Sequence, residues 1–250
     1  MSGHSKWSTI KRKKGAADAK RSKMFSRVAK EIQVAVKEGG PDPDSNSRLR
    51  LAIANAKGIN MPKDNIERAI NSAEKDAASL QEVTYEGYAP NGIAIFIECM
   101  TDNNNRTVSS IRAIFNKRGG SLSTSGSVAY MFESKGVFTV TKGDLDPEEF
   151  ELEIIDAGVE DIELEEDIFV ITTPLEHFGD VQRKLEEMNI SPDSAELQRV
   201  PQDTKTLDPQ EAAKVLKIIE DFEDDDDVQN VYHNLEITDE VMQEIIGIEN

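Results

Sequence analysis

The hydrophobic period of this chain changes once, near residue 82, and that change limits the folds open to it. Before it, apolar residues recur every three or four positions, the spacing of helices buried along one face. After it, short apolar runs alternate with capped helices. Residues 24–37, MFSRVAKEIQVAVK, put Phe25, Val28, Ile32 and Ala35 on one face, and Gly39-Gly40-Pro41 ends the segment. Following the polar turn DPDSNS, RLRLAIANAKG repeats the stripe with Leu49, Ile53 and Ala56 and stops at Gly58. MPKDNIERAINSAEK has Pro62 in its first turn, Asp64 near the positive helix end, and Ile66, Ala69, Ile70 and Ala73 facing inward. Three short amphipathic helices predict a small bundle, preceded by a basic arm or extra helix.

From residue 82, EVTYEGYA and IAIFIECM read as strands, joined at Pro90-Asn91-Gly92 because Asn-Gly tolerates the positive φ of a tight turn. TDNNN opens a helix carrying Val108, Ile111, Ile114 and Phe115, ended by Gly119-Gly120, and SVAYMF at 127–132 reads as a further strand. Residues 136–200 then repeat a unit. GVFTVTK is a strand, and Asp146-Pro147-Glu148-Glu149 caps a helix with Phe150, Ile154 and Ala157 that closes at Gly158. EDIELEE and IFVITT are strands, Thr173-Pro174-Leu175-Glu176 repeats the capping pattern before Phe178, Val181, Leu185 and Met188, and AELQRV completes βαββαβ. That order is ferredoxin-like.

Asp208-Pro209-Gln210-Glu211 opens another helix with Ala212, Val215, Ile219 and Phe222 inward, and VQNVYHNLEI follows as a strand. One helix and one strand cannot fold alone, so they are expected to return to the sheet begun at residue 82. The expected fold class is α+β: an N-terminal three-helix bundle plus two α/β sandwich-type domains. The ferredoxin-like one, residues 135–203, is inserted into a discontinuous middle domain, 81–134 plus 204–250, and residues 1–80 form the basic helical domain.

Charge follows the same division. The 250 residues carry a formal net charge of −19, yet residues 1–30 hold ten Lys or Arg against Asp18 alone, a net of +9. Residues 1–80 hold 17 basic and 9 acidic side chains, a net of +8; the remaining 170 hold 12 and 39, a net of −27. A cationic module is joined to an anionic one.

Several chemistries find no support. His4, His177 and His233 are scattered, without ligand spacing. EDDDD at 223–227 lacks the spaced ligands and central glycine of a calcium loop and reads as a solvated turn. Ser109 and Ser110 have no paired base, and no nucleophile elbow or phosphate-cradling glycine motif is present. Cys99, the single cysteine, lies in an apolar strand, which excludes an intramolecular disulfide and favours a buried thiol. No enzyme activity, cofactor, metal or small-molecule substrate is expected. No apolar run is long enough for a membrane span and no secretory signal opens the chain, so a cytoplasmic protein without membrane contact is expected. A mitochondrial presequence fits poorly, because glycine and the run KRKK suit an amphipathic helix badly.

The opening stretch carries the functional signal. One cation in every three residues is dense enough to follow a polyphosphate backbone and release its counterions. Lys6, Lys11, Arg12, Lys13, Lys14, Lys20, Arg21 and Lys23 are the candidate contacts, and Trp7 among them can stack on a base. Within residues 101–127, Arg106 sits beside the free N–H groups of a helix start; Arg112, Lys117 and Arg118 follow before a glycine-serine loop. These four either meet phosphate or pair with local carboxylates while Asp102 or Asn103 caps the helix. Tyr85 and Tyr88 likewise either stack on bases or fill a core beside the hairpin.

GHSKW at 3–7, DAKR at 18–21, KEGGPDPDSNSRLRLAI at 37–53, NMPKDNIERAI at 60–70, YEGYAPNG at 85–92, TDNNNRT at 101–107, GGSLSTSGSVAYMF at 119–132 and DDVQNVYHN at 226–234 together resemble the YebC/PmpR family. The resemblance spans nearly the whole chain, while residues 136–200 match by element order more than by motif. It implies three domains, one interrupting another, in a non-enzymatic regulator of gene expression. Some members are described as cytoplasmic DNA-binding transcriptional regulators. Others act on the ribosome in translation, including at proline-rich stretches, and mitochondrial relatives activate cytochrome oxidase translation. With no presequence before GHSKW, the chain resembles the bacterial-type members. The partner implied is nucleic acid: DNA, or ribosomal RNA and the ribosome in the alternative.

Overall fold

The structure, a computed structural model, describes residues 18–75, 80–165 and 167–248, with side chains described for 21–73, 80–165 and 167–243. The fold is α+β, with N-terminal helices and two four-stranded sheets. It divides into two compact units, one holding Ala78–Glu133 and Val200–Asn250, the other Lys20–Ala77 and Ser134–Arg199.

In the second unit, helices α1 (Asp18–Gly39), α2 (Ser47–Gly58) and α3 (Lys63–Lys75) bury the predicted stripes. Val28, Ile32 and Ala35 of α1 meet Leu49, Ala52 and Ala56 of α2 and Ile66 and Ala69 of α3. Alanine at so many contacts lets the short helices approach closely, at the expense of apolar area per residue. Asn46 compensates at the α1–α2 turn. Its side-chain oxygen accepts from the Leu49 N–H at 3.0 Å, capping α2, while its Nδ2 donates to the carbonyls of Ala35 at 2.7 Å and Gly40 at 2.8 Å. One buried amide thus closes α1 and opens α2.

The same unit contains β4 (Phe132–Thr141), α5 (Pro147–Ile154), β5 (Asp161–Glu165), β6 (Ile168–Pro174), α6 (Phe178–Glu187) and β7 (Ser194–Pro201). The sheet order β5-β6-β4-β7 is that of a ferredoxin-like fold. Phe138, Val140, Phe169 and Ile171 of the sheet pack against Phe150, Ile154, Val181 and Leu185 of the two helices. Asp146 caps α5 as its sequence indicates, accepting from the N–H groups of Glu148 and Glu149. Thr173 does not cap α6. Its buried hydroxyl donates to the Gly158 carbonyl at 2.8 Å, β6 continues to Pro174, and a 3-10 turn intervenes before Phe178.

The bundle and this module are stitched together by a reciprocal pair. Asn55 of α2 donates to the Ala195 carbonyl at 2.9 Å and accepts from the Ala195 N–H at 3.1 Å. Beside it, a Cβ on Gly58 would lie 2.2 Å from the Asp193 carbonyl oxygen, so only glycine permits this approach. Leu51 packs on the module's core.

The other unit is built on β1 (Gln81–Ala89), β2 (Ile93–Thr101), β3 (Ser121–Leu122) and β8 (Val228–His233), in the antiparallel order β3-β1-β2-β8. The Pro90–Gly92 turn has Asn91 at φ 62° and Gly92 at φ 71°, as Asn-Gly predicts. Helices α4 (Asn104–Lys117) and α7 (Pro209–Glu223) cover one face, burying Ile95, Ile97 and Cys99 beneath Ile111, Phe115, Val215, Ile219 and Phe222. A last helix, α8 (Asp239–Ile248), packs beside α7; its Val241 joins the same core. The sequence pattern alone predicts no element there.

One predicted strand is absent. Residues 127–132 form a 3-10 turn at Ala129–Met131 and then enter β4 at Phe132; the sheet's edge is the two-residue β3 instead. The reason is a buried carboxylate. Glu86 of β1 accepts the N–H groups of Gly126 (2.7 Å), Val128 (2.7 Å) and Ala129 (2.8 Å), taking the donors a strand would use. Tyr88 donates from its hydroxyl to the Ser127 carbonyl at 3.1 Å, fixing the same loop.

The three hydrogen bonds of Asn46 can be tested directly. Asn46→Ala removes a cap and leaves two carbonyls without their donor, so stability of the bundle should fall by about 2 kcal/mol. Urea unfolding followed by circular dichroism measures this.

Candidate nucleic-acid interface

The basic stretch divides at the limit of the described residues. Lys6, Trp7, Lys11, Arg12, Lys13 and Lys14 lie outside them, and the side chain of Lys20 does too. Arg21 and Lys23 are on α1. Arg21 is exposed, with its guanidinium 5.5 Å from the centre of the Phe25 ring, a cation–π contact one helical turn on. Lys23, Arg27, Lys30 and Lys37 follow at intervals of four, three and seven residues; Lys37 is exposed, whereas Lys23, Arg27 and Lys30 are half-buried and Val34 on the same side is buried. Lys37, exposed and beyond the dense stretch of residues 1–30, adds to the sequence candidates by its place on the helix.

The second group lies on α4 and is largely neutralised. Asn103 caps the helix by accepting from the Arg106 N–H at 3.1 Å. The Arg106 side chain turns back to donate to Asp227 at 2.9 Å and to Asp102 at 2.8 Å. Those two hydrogen bonds, Asp227's first, hold the guanidinium above its ordinary pKa. Asp227 is itself buried and also accepts from the hydroxyls of Thr107 at 2.8 Å and Thr101 at 3.3 Å. Ser110 donates to Asp225. EDDDD is therefore not simply a solvated turn: Asp227 organises the start of α4 and Asp225 meets its middle.

At the other end, Arg118 donates from Nε at 2.7 Å and from Nη2 at 3.1 Å to Asp221 of α7, a forked pair. Lys117 stands 3.9 Å from the same carboxylate and is mostly exposed. Arg112 is exposed and forms no ion pair with a described residue. Local carboxylates thus occupy Arg106 and Arg118, and Arg112 and Lys117 remain open to solvent. Tyr85 packs at the edge of the sheet core, and Tyr88 is occupied with the loop at Ser127.

Among the described residues no group of three or more His, Cys, Asp or Glu is arranged to hold a metal, and no helix is long and apolar enough to cross a membrane.

A helical module whose cations line one helix, joined to two antiparallel-sheet modules rich in acid, defines a class of multi-module α+β protein. Family models place the chain within it: residues 5–76 match the "TACO1/YebC protein N-terminal domain" and residues 80–235 the "TACO1/YebC second and third domain". The chain belongs to the TACO1/YebC family. A "probable transcriptional regulatory protein" of Rubrobacter xylanophilus is 50% identical over 250 residues, covering 99% of this chain and all of the relative. Bacillus subtilis YrbC, of the same description, is 49% identical over 238 residues, 94% of this chain and 99% of that one. The crystal structure of the conserved hypothetical protein Aq1575 from Aquifex aeolicus superposes with a TM-score of 0.83 at 41% identity, covering 90% of this chain and 94% of that one.

The forked pair sets a pH dependence. Arg118 holds the Asp221 carboxyl below the usual carboxylate range, first through the hydrogen bond and then through charge. A depressed folded pKa gives stability that is complete above the unfolded value and is lost as pH falls through the folded one. Arg118→Gln should therefore reduce stability at neutral pH and flatten its decline on acidification below the ordinary carboxylate range. Thermal melts across that acid range check it.

Proposed function

We propose that the protein is a nucleic-acid-binding regulator of gene expression that grips duplex DNA phosphates through its basic N-terminal segment, as a transcriptional regulator. The observation that carries this reading is the charge division: +9 in residues 1–30 on a chain whose last 170 residues hold −27. Solubility does not require cations on so acidic a chain, whereas a polyanion rewards their concentration at one end. The descriptions of the R. xylanophilus and B. subtilis relatives point the same way. Lys11, Arg12, Lys13, Lys14, Lys20 and Arg21 contact the backbone in this reading, Trp7 stacks beside them, and Lys6 and Lys23 extend the track. Arg112 and Lys117 are the secondary contacts; Arg106 and Arg118 act by holding α4 to its acidic neighbours. The acidic remainder is repelled by phosphate and so restricts how the protein docks.

Ribosomal RNA is the second target, favoured by the lack of a recognition-helix signature in α1, α2 and α3. There the protein acts as a ribosome-associated translation factor that relieves stalling at proline-rich stretches. Crosslinking in cells followed by sequencing of the attached DNA and RNA separates the two.

Neutralising about six phosphates on duplex DNA gives a log–log salt slope of about −5. Replacing Lys11, Arg12, Lys13 and Lys14 with glutamine should bring that slope toward zero by about 3 to 4. Fluorescence anisotropy against rising salt reads both numbers; a flat response of the intact chain would remove the phosphate mechanism.

A further inference from the structure

The loop pinned by Glu86 carries an exposed aromatic ring. Residues 123–131 run from β3 across the sheet face opposite α4 and α7. Val128 is fully buried and Phe132 nearly so, packing with Phe96 and Tyr232; the Phe96 and Phe132 ring centres are 6.2 Å apart. Between these anchors Tyr130 is 71% exposed. A single exposed aromatic is ordinary on a protein surface. This one differs in how it is seated.

Its turn closes through the Met131 N–H on the Val128 carbonyl at 2.9 Å, and the Gln202 N–H on the Met131 carbonyl at 2.9 Å fixes the exit. On the entry side, the Ser123 N–H donates to the Glu86 carbonyl at 2.8 Å, and the Glu86 carboxylate takes three more loop donors. The ring is therefore presented by backbone that is already ordered, so stacking on it costs little further conformational entropy. The same hydrogen bonds exclude a phosphate nest here, because the N–H groups of Gly126, Val128 and Ala129 point at a carboxylate. What the loop offers is a flat apolar face, beside the exposed Thr124, Ser125 and Gly126 at its tip.

Residues 103–132 contain four cations and no Asp or Glu, although the chain beyond residue 80 is strongly acidic. Arg106 and Arg118 are tied to Asp227 and Asp221, so Arg112 and Lys117 are the charges along it that remain open to solvent. We infer that Tyr130 is a stacking platform for an unpaired nucleobase, so that the loop 123–131 forms a second nucleic-acid site, selective for single strands. An unpaired base can leave its neighbours to lie on the ring; a base in a duplex is already stacked on both faces. This inference rests on the nucleic-acid reading above and adds a strand preference that phosphate contact alone does not give.

The test uses the full chain with two probes, a short single-stranded oligouridylate and duplex DNA of equal length, followed by anisotropy. Tyr130→Ala should weaken oligouridylate binding about tenfold, leave duplex binding and the thermal midpoint unchanged, and Tyr130→Trp should restore the lost affinity. If the alanine variant binds oligouridylate as tightly as the intact chain, the platform is refuted while the phosphate mechanism stands. Equal losses on both probes would also refute it, since removing a ring that stacks on unpaired bases should leave duplex binding unchanged. If the intact chain binds neither probe, both proposals fall together.

Discussion

The sheet of the first unit depends on a pairing that no local segment can supply. β2 is buried along nearly its whole length, and one of its two partners, β8, comes from beyond residue 227. Loop closure over so many residues would ordinarily carry a substantial entropic cost. The intervening ferredoxin-like module reduces it, because its first and last strands, β4 and β7, are neighbours in their own sheet. Once that module folds, the chain emerges near where it entered, and the hydrogen bond from Gln202 to Met131 marks the meeting point. Between that point and β8 lie α7 and its flanking turns rather than the whole module, before the strand pairs with Ile95 and Ile97.

The order of elements was legible because it is written in local grammar. Asp146 and Asp208 announce their helices through side chains that reach N–H groups two and three residues away. The apolar stripes of α1, α2 and α3 are equally local. What could not be read is the long-range polar chemistry. Glu86 lies amid strand residues and looks like a solvent-facing position, yet its acceptors serve a loop 40 residues on. That exchange turned the alternating SVAYMF from a strand into a turn. Asp227 hid in a run of acids in the same way, and its partners Thr101 and Thr107 are more than a hundred residues distant.

The candidate site was legible to a similar degree. Density of charge is visible in a string of letters; the destination of each charge is not. Arg106 and Arg118 look alike Arg112 and Lys117 in sequence, but the first two are tied to carboxylates of the loop after α7 and of α7 itself. Only the latter two keep their charge free of a close partner among the described residues, with Lys117 at the 3.9 Å limit of an ion pair. Tyr130 escaped notice for the opposite reason: its neighbours Val128 and Phe132 made the whole segment look like core.

The reciprocal amide contact between Asn55 and Ala195 has a mechanical consequence. Two hydrogen bonds and a glycine with no room for a methyl group couple α2 to β7 too closely for either to shift alone. A displacement of β7 is therefore met first by α2 and, through the shared bundle core, by α1, which carries Arg21 and Lys37. The seam is a riveted joint, and Gly58 is its rivet.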